Sequence, residues 1–392
     1  MAGTDGAPVI VSNEPGSFPR SVLADRHPAL IQQVRDAFPF TPPRRQALDA
    51  LLQEIGDGVV ERLAPDAHDL AQWEIWDRGC FGRSWFDVPF LWAESYFYRK
   101  LLDATGYFAP GPWRGIDPFA PFKRAELRGT AVDKELGALD AVPGRPAAEQ
   151  EQALLHGSLW GNRADLGFRI SAGTGHTDSA DPPLVADESA SLWSLLPSGA
   201  AATVHLVADN AGRELIPDLV LLDHLLRTGR AGQAVLHVKP YPYYVSDATM
   251  TDVIDSLHRL RRAPVAGYAA EAGERLWSAM ATGRLAVRAH AFFCAPLPFG
   301  AMPDDLRRDL AGATVTIIKG DLNYRRLVDD RLWPPTMSFA DRTGYFPSPV
   351  AALRTLKSDV IVGLDEHTLG ALEQTGRPWR TSGTHALIQT RA

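Results

Sequence analysis

Two different spacings of apolar residues run along this chain, and the change from one to the other falls near residue 200. Before that point apolar positions recur every three or four residues. They do so in "HPALIQQVRDAF", "PRRQALDALLQEIGDGVVERL", "PFLWAESYFYRKLLDATGYF" and "PAAEQEQALLHGSLWGNRADLGFRI". Such spacing gathers the apolar side chains on one face of an α-helix. Stretches rich in Pro, Gly and Trp, such as "APGPWRGIDPFAPF", lie between these segments, and "SAGTGHTDSADPPLVADES" reads as a surface loop. Beyond residue 200, short β-branched or apolar runs take over: "ATVHLVADN", "QAVLHVKPY", "RLAVRAHAF", "ATVTIIKGD" and "SDVIVGL". Helical segments such as "LIPDLVLLDHLLRTG" and "TDVIDSLHRLRRA" alternate with them. Alternation of this kind implies a largely parallel sheet with helices on both faces. The expected fold is α/β. An extended N-terminal arm covers residues 1–25 and an α-helical lobe covers 26–200. A Rossmann-like three-layer α/β/α lobe covers 201–392.

Composition leaves that picture standing and narrows the partners. The 392 residues are 45% hydrophobic and 22% charged, an ordinary globular balance. A net charge of -7, with a pI near 5.9, argues against nucleic acid or a membrane surface as the main partner. Cys80 and Cys294 give neither a disulfide framework nor zinc-ligand spacing, which fits a reducing cytoplasm. No run is long enough to span a bilayer, and the first twenty residues lack the basic start and apolar centre of a signal peptide.

The chemistry collects at the ends of the expected strands, where open α/β sheets bind ligands. After "VHLV" come Asp209, Asn210, Gly212 and Glu214; after "AVLHVK" comes Asp247. After "TVTIIK" comes a run of polar side chains: Asp321, Asn323, Tyr324, Arg325 and Arg326. Each cluster alone has an ordinary explanation, since Asp, Asn and Gly also make turns and cap helices. Three of them at one sheet edge favour a site. Two aspartates and an asparagine are hard oxygen ligands that suit Mg²⁺ or Mn²⁺, and Arg325 with a nearby lysine suits a phosphate.

Taken together, "DNAGRE" (209–214), "PYYVSD" (242–247), "KGDLNYR" (319–325) and "RTLK" (354–357) resemble the damage-control phosphatase family, domain of unknown function 89. The Arg-Thr-x-Lys signature places the resemblance in its acidic-residue-methyltransferase-like branch, with weaker support from "WAESYFYRK" and "SLWGNRADL". The resemblance implies a metal-dependent phosphatase of small phosphorylated metabolites, sugar phosphates being typical. It also implies a divalent cation, Mn²⁺ or Mg²⁺ with Co²⁺ or Ni²⁺ as alternatives, on Asp209, Asn210 and Asp247. Those three and Lys357 would be catalytic. Glu214, Asp321, Leu322, Asn323, Tyr324, Arg325 and Lys357 would line the substrate pocket.

Because "RTLK" precedes the expected strand "SDVIVGL", Lys357 reaches the site only if that strand runs antiparallel, so a mixed sheet is expected. Glu94, Arg99 and Asn162 are candidates to reach the pocket from the helical lobe, with buried ion pairs as their ordinary alternative. Three rival functions stand beside phosphatase activity. One is S-adenosylmethionine-dependent carboxyl methylation, against which "VADNAGRE" lacks a glycine-rich nucleotide turn. The others are a metal- and phosphate-binding sensor and recruitment to a specialised biosynthetic reaction.

Overall fold

The computed structural model describes residues 6–161, 184–197, 199, 202–263 and 267–392. Seven strands form one sheet: β1 (Leu184–Asp187), β2 (Thr203–Val207), β3 (Gln233–Val238), β4 (Leu285–Ala289), β5 (Val315–Lys319), β6 (Val350–Thr355) and β7 (Ala386–Arg391). Their spatial order is β1-β7-β6-β5-β2-β3-β4. Every neighbouring pair is parallel except β6 with β7. From β2 the chain winds outward through β3 and β4, then returns to β5 on the other side. The crevice between the carboxyl ends of β2 and β5 is therefore the switch point at which such sheets bind ligands.

Alternate residues of the central strands face opposite layers. Val204 and Leu206 of β2, Val315 and Ile317 of β5, and Ala351 and Leu353 of β6 pack under one helical layer. That layer comprises Ala147–Trp160, Leu215–Arg227, Met250–Arg261 and Tyr268–Ala281. Val207, Ile318, Val350 and Ala352 face the other layer, which includes Asp304–Ala311, Asp321–Val328 and Phe339–Thr343. With both faces covered, the central strands are mostly apolar, which is why they were legible. A third core gathers His27–Ala37, Pro42–Asp57 and Phe90–Thr105, and Tyr243, Cys294 and Leu322 dock into it.

The sheet is mixed, as expected, but for a different reason. "SDVIVGL" forms no strand; residues 358–364 run as irregular chain with Val360, Ile361 and Val362 buried. The strand is "VAALRT", upstream of it, and it runs parallel to β5. Lys357 thus follows a carboxyl end directly and needs no reversed strand. The reversed strands are the C-terminal β7 and, beside it, the edge strand β1. Two further differences concern short pieces. The segment "LVAD", inside the expected loop, is the edge strand β1. The N-terminal arm is extended only at its start, where Val9 and Val11 bridge to Arg331 and Pro89. Helical turns then span Phe18–Ser21 and Val22–Arg26. Ser17 caps the first of them, accepting from Arg20 N–H at 3.3 Å, and Pro sits in its first turn.

His27, at the start of the helix that follows, carries an acid liability. Its ring stacks on Phe97 at 3.7 Å between centroids, fully buried, and neither ring nitrogen has a hydrogen-bond partner. Burial, and then the neighbouring Arg26 charge, push its pKa down from 6.5 to about 3. The folded state therefore holds the neutral ring while the unfolded chain takes a proton below pH 6.5. Stability is intact above 6.5 and falls as pH drops from 6.5 towards 3, by at most about 1.4 kcal/mol per pH unit from this group. In urea unfolding, His27→Phe is expected to match or exceed the parent at pH 7.5 and to lead it by about 2–3 kcal/mol at pH 4.5. Parallel stability curves for the two proteins across this range would refute the assignment.

Candidate functional site

Beyond β2 and β3 the two exit loops zip together. Ala248 N–H donates to Asp209 O at 2.8 Å, Ala211 N–H donates to Ser246 O at 2.6 Å, and Asn210 and Asp247 form an antiparallel bridge. Gly212, at φ 65°, lets the chain turn from this bridge towards the Leu215–Arg227 helix. The approach to Asp247 is strained: Tyr244 and Val245 sit at φ 45° and 63°, and a β-branched residue rarely accepts that conformation. Packing against the Phe90–Thr105 helix holds it. Tyr243 Oη donates to Ser95 Oγ at 2.7 Å, Tyr244 Oη to Glu94 Oε2 at 3.3 Å, and Tyr244 stacks on Tyr98.

Three carboxylates and one amide meet there. Asn210 Nδ2 donates to Asp209 Oδ2 at 3.1 Å and to Glu214 Oε2 at 2.8 Å, while its Oδ1 accepts from Ser246 Oγ at 2.6 Å. Burial, then the charges of Glu214 and Asp247, push the Asp209 carboxyl well above the usual carboxylate range. Burial lifts Asp247 to about 6 against the pull of Lys239, whose Nζ lies 3.3 Å from Asp247 Oδ2 but off the line of a good hydrogen bond. The peptide after β5 closes the cluster from the side. Gly320 has φ 84°, and a Cβ there would lie 2.0 Å from Asp209 Oδ2. Glycine is required at this position on both counts.

The cluster opens into a cavity of about 390 Å³. Asp209, Glu214 and Asp321 give it acidic groups, and Lys357 and Arg26 give it positive ones. Thr355, Thr381 and Ser382 add hydroxyls, and Phe18, Leu159, Trp160 and Leu353 supply apolar wall. Burial opposes ionisation of Asp321. The Arg354 and Arg325 charges and the Lys357 N–H nevertheless hold its carboxyl below the usual range. Arg354 Nε donates to Asp321 Oδ1 at 2.8 Å, and Lys357 N–H reaches the same oxygen at 3.0 Å.

Asp209, Glu214, Asp321 and Lys357 thus converge on one cavity, with Asn210 and Asp247 immediately behind Asp209. The remaining motif residues are elsewhere. "DLNYRR" is the first two turns of a helix, so after Asp321 its side chains swing away from the sheet edge. Leu322 packs into the helical core. Asn323 Nδ2 donates to Ala208 O at 3.1 Å and Lys319 O at 2.9 Å, fastening β5 to β2. Tyr324 Oη donates to Gln389 Oε1 at 2.9 Å. Arg325 is tied to Asp330 and Glu94, which corrects its assignment to the pocket lining. Glu94 and Arg99 are buried ion pairs, the latter with Asp69 and Asp103. Asn162 lies outside the described residues.

Four features escaped the sequence. Arg354, the first residue of "RTLK", orients Asp321. Lys123 Nζ, buried, donates to Asp247 O at 3.0 Å and Asp252 Oδ2 at 2.9 Å, bracing the Asp247 loop from the Ala120–Leu127 helix. Arg26 and the Thr381–Gly383 turn reach the cavity from outside every motif. Lysine scarcity was the one available hint for Lys123, and the Arg-Thr-x-Lys signature contained Arg354 without giving its role; no pattern marked Arg26 or the Thr381–Gly383 turn.

As a cation site the cluster has suitable chemistry. Asp209 and Asp247 are buried hard-oxygen donors whose mutual repulsion a divalent ion would relieve, and Asn210 offers an amide oxygen between them. Among the described residues no three His, Cys, Asp or Glu side chains form a ready cage. A cation there would therefore call on the Asn210 amide oxygen as well as the two carboxylates.

The model of the damage-control phosphatase ARMT1-like domain matches residues 22–372 of the chain. The chain belongs to this family. Its members include damage-control phosphatase ARMT1 of Danio rerio, 30% identical across 95% of this chain and 94% of that protein. Damage-control phosphatase ARMT1 of Mus musculus is 33% identical across 78% and 74%, and that of Homo sapiens is 29% identical across 78% and 75%. The fold is also that of a DUF89 family protein from Pyrococcus horikoshii, with a TM-score of 0.51 at 12% identity over 96% of this chain and 99% of that one. The matched damage-control phosphatase domain thus spans the helical segments and every strand of the sheet except β7.

Proposed function

We propose that this damage-control phosphatase relative is a metal-dependent phosphomonoesterase of small phosphorylated metabolites, sugar phosphates among them. The observation that carries this reading is the placement of Asp209, Asn210 and Asp247 at the switch point, with the Lys357 ammonium on the same cavity. A divalent cation held by those three residues would supply Lewis-acid activation and orient the nucleophile. Lys357 meets charge on the phosphoryl oxygens as the ester bond breaks. Arg354 and the Lys357 N–H fix Asp321 so that the Gly320–Asp321 peptide holds its position against Asp209. Trp160, Leu159 and Leu353 exclude water from the reacting centre, and Thr355 offers a hydroxyl to the substrate.

Methyl transfer finds no support in the geometry: the turn after β2 contains one glycine, Gly212, and lacks the glycine-rich backbone that cradles a nucleotide. No helix among the described residues is long and apolar enough to cross a membrane. The test is phosphate release from a panel of sugar phosphates by metal-stripped protein, then with Mg²⁺, Mn²⁺, Co²⁺ or Ni²⁺ restored. Release that returns only with metal is the expected result. Equal release before and after stripping would overturn the metal assignment, and no release under any condition would overturn the phosphatase reading.

A further inference from the structure

We propose that Arg26 reads a second anionic group of the substrate, a carboxylate or another phosphate carried on the same small metabolite. This rests on the phosphatase reading above and goes beyond it. Around the site most cations are committed: Lys239 to Asp247, Lys319 to Asp218, Arg325 to Asp330 and Glu94, Arg354 to Asp321. Two are not. Among the described residues, neither the Arg26 guanidinium nor the Lys357 ammonium makes a hydrogen bond or ion pair, and both line the cavity.

They face different charged neighbours. Lys357 is among the charges that act most strongly on Asp209, and Arg26 is not; Arg26 acts instead on Glu94 and Tyr98, at the helical side. One phosphate on the Asp209 side therefore uses Lys357 and leaves the guanidinium for something else. A volume of about 390 Å³ is that of a small-molecule site with room for more than the phosphate alone. A guanidinium's planar fork of donors matches a carboxylate or a phosphate in two parallel hydrogen bonds.

Its mount is firm. Arg26 ends the Val22–Arg26 turn, whose Val22 and Leu23 are buried, and His27 next to it is locked on Phe97. The same segment sends Phe18 into the cavity wall, braced edge-on against Phe90 at 6.2 Å between ring centroids. The exposed head thus projects from a fixed base, as a specificity-determining group should.

The experiment compares three six-carbon substrates: glucose 6-phosphate, 6-phosphogluconate and glucose 1,6-bisphosphate. The parent and Arg26→Gln are assayed side by side with metal restored. In the parent, kcat/KM is expected to favour at least one two-anion substrate over glucose 6-phosphate by tenfold or more. In Arg26→Gln that ratio falls by about tenfold or more, carried by KM, the size expected for a lost charge-assisted hydrogen bond. Which of the two substrates loses its advantage tells carboxylate from phosphate. A variant that lowers all three alike, or none, overturns the proposal. Should no substrate be turned over, the phosphatase reading fails by itself. Calorimetric titration of both two-anion compounds then decides: binding weakened tenfold by Arg26→Gln upholds the role, and no binding, or binding unaffected, overturns it.

Discussion

Asp209→Asn is expected to remove metal-dependent phosphate release, by about 10³-fold or more, while making the metal-free protein more stable. The loss follows from position: Asp209 is the carboxylate shared by the cavity, the Asn210 amide and the tight approach of Gly320. A group that organises developing charge contributes several kcal/mol to the transition state. The gain in stability has the opposite origin. Asp209 is buried with Glu214 and Asp247 as its strongest electrostatic neighbours, so its charge opposes folding. An uncharged isostere relieves that repulsion, with a gain of about 1–2 kcal/mol, the usual size when an active-site group is held for function against stability. Added Mn²⁺ or Mg²⁺ should raise the unfolding temperature of the parent and leave the variant unmoved, since an ion that binds only the folded state stabilises in proportion to occupancy. Phosphate-release assays check the loss, and calorimetric scans of both proteins, with and without metal, check the other two statements. A variant less stable than the parent would mean that Asp209 is a structural hydrogen-bonding residue and not a strained ligand.

The division between what the sequence disclosed and what it hid follows physical lines. The central strands were visible because a parallel sheet covered on both faces demands mostly apolar runs, and β2, β3 and β5 have them, interrupted only by the buried His205, His237 and Thr316. β6 was hidden because "VAALRT" mixes small residues with a buried arginine, while "SDVIVGL" next to it looks more strand-like than any true strand of that region. Its apolar residues are buried without pairing because they cap the second core from an irregular segment. The site divides in the same way. Groups that follow a strand directly, Asp209, Asp321 and Lys357, come together on the cavity as expected from their order, since position at the sheet edge is a one-dimensional property. Groups whose roles depend on helix rotation were misjudged. A run of polar residues after a strand reads as a row of ligands, but coiling it at 3.6 residues per turn sends Asn323 and Arg325 in other directions. Arg26 and the Thr381–Gly383 turn arrive by tertiary folding from the two ends of the chain, and no local pattern announces that.

Arg325 is where the two readings part most sharply, and Arg325→Met separates them. As a phosphate ligand, the arginine would raise KM on removal and leave stability nearly untouched. The structure gives it a different setting. Its Nε and Nη2 grip Asp330 at 2.7 and 2.9 Å, Nη1 donates to Glu94 Oε2 at 2.9 Å, and the guanidinium lies 4.7 Å from the Phe90 ring centre. Taking it away leaves two carboxylates buried with their shared cation gone, and a broken buried pair costs about 3–5 kcal/mol. The expected result is a large fall in the urea midpoint, with kcat falling alongside. The reason is mechanical: the clamp joins the helix beginning at Asp321 to the Phe90–Thr105 helix, and Glu94 also receives the Tyr244 hydroxyl that steadies the Asp247 loop. Replacing all three charged partners together, Arg325→Met with Glu94→Gln and Asp330→Asn, should recover much of the stability, because what destabilises the single variant is the uncompensated charge. If kcat returns with it, the clamp acts through the fold. If stability is unchanged in the single variant and KM alone rises, Arg325 touches the substrate and the clamp is incidental.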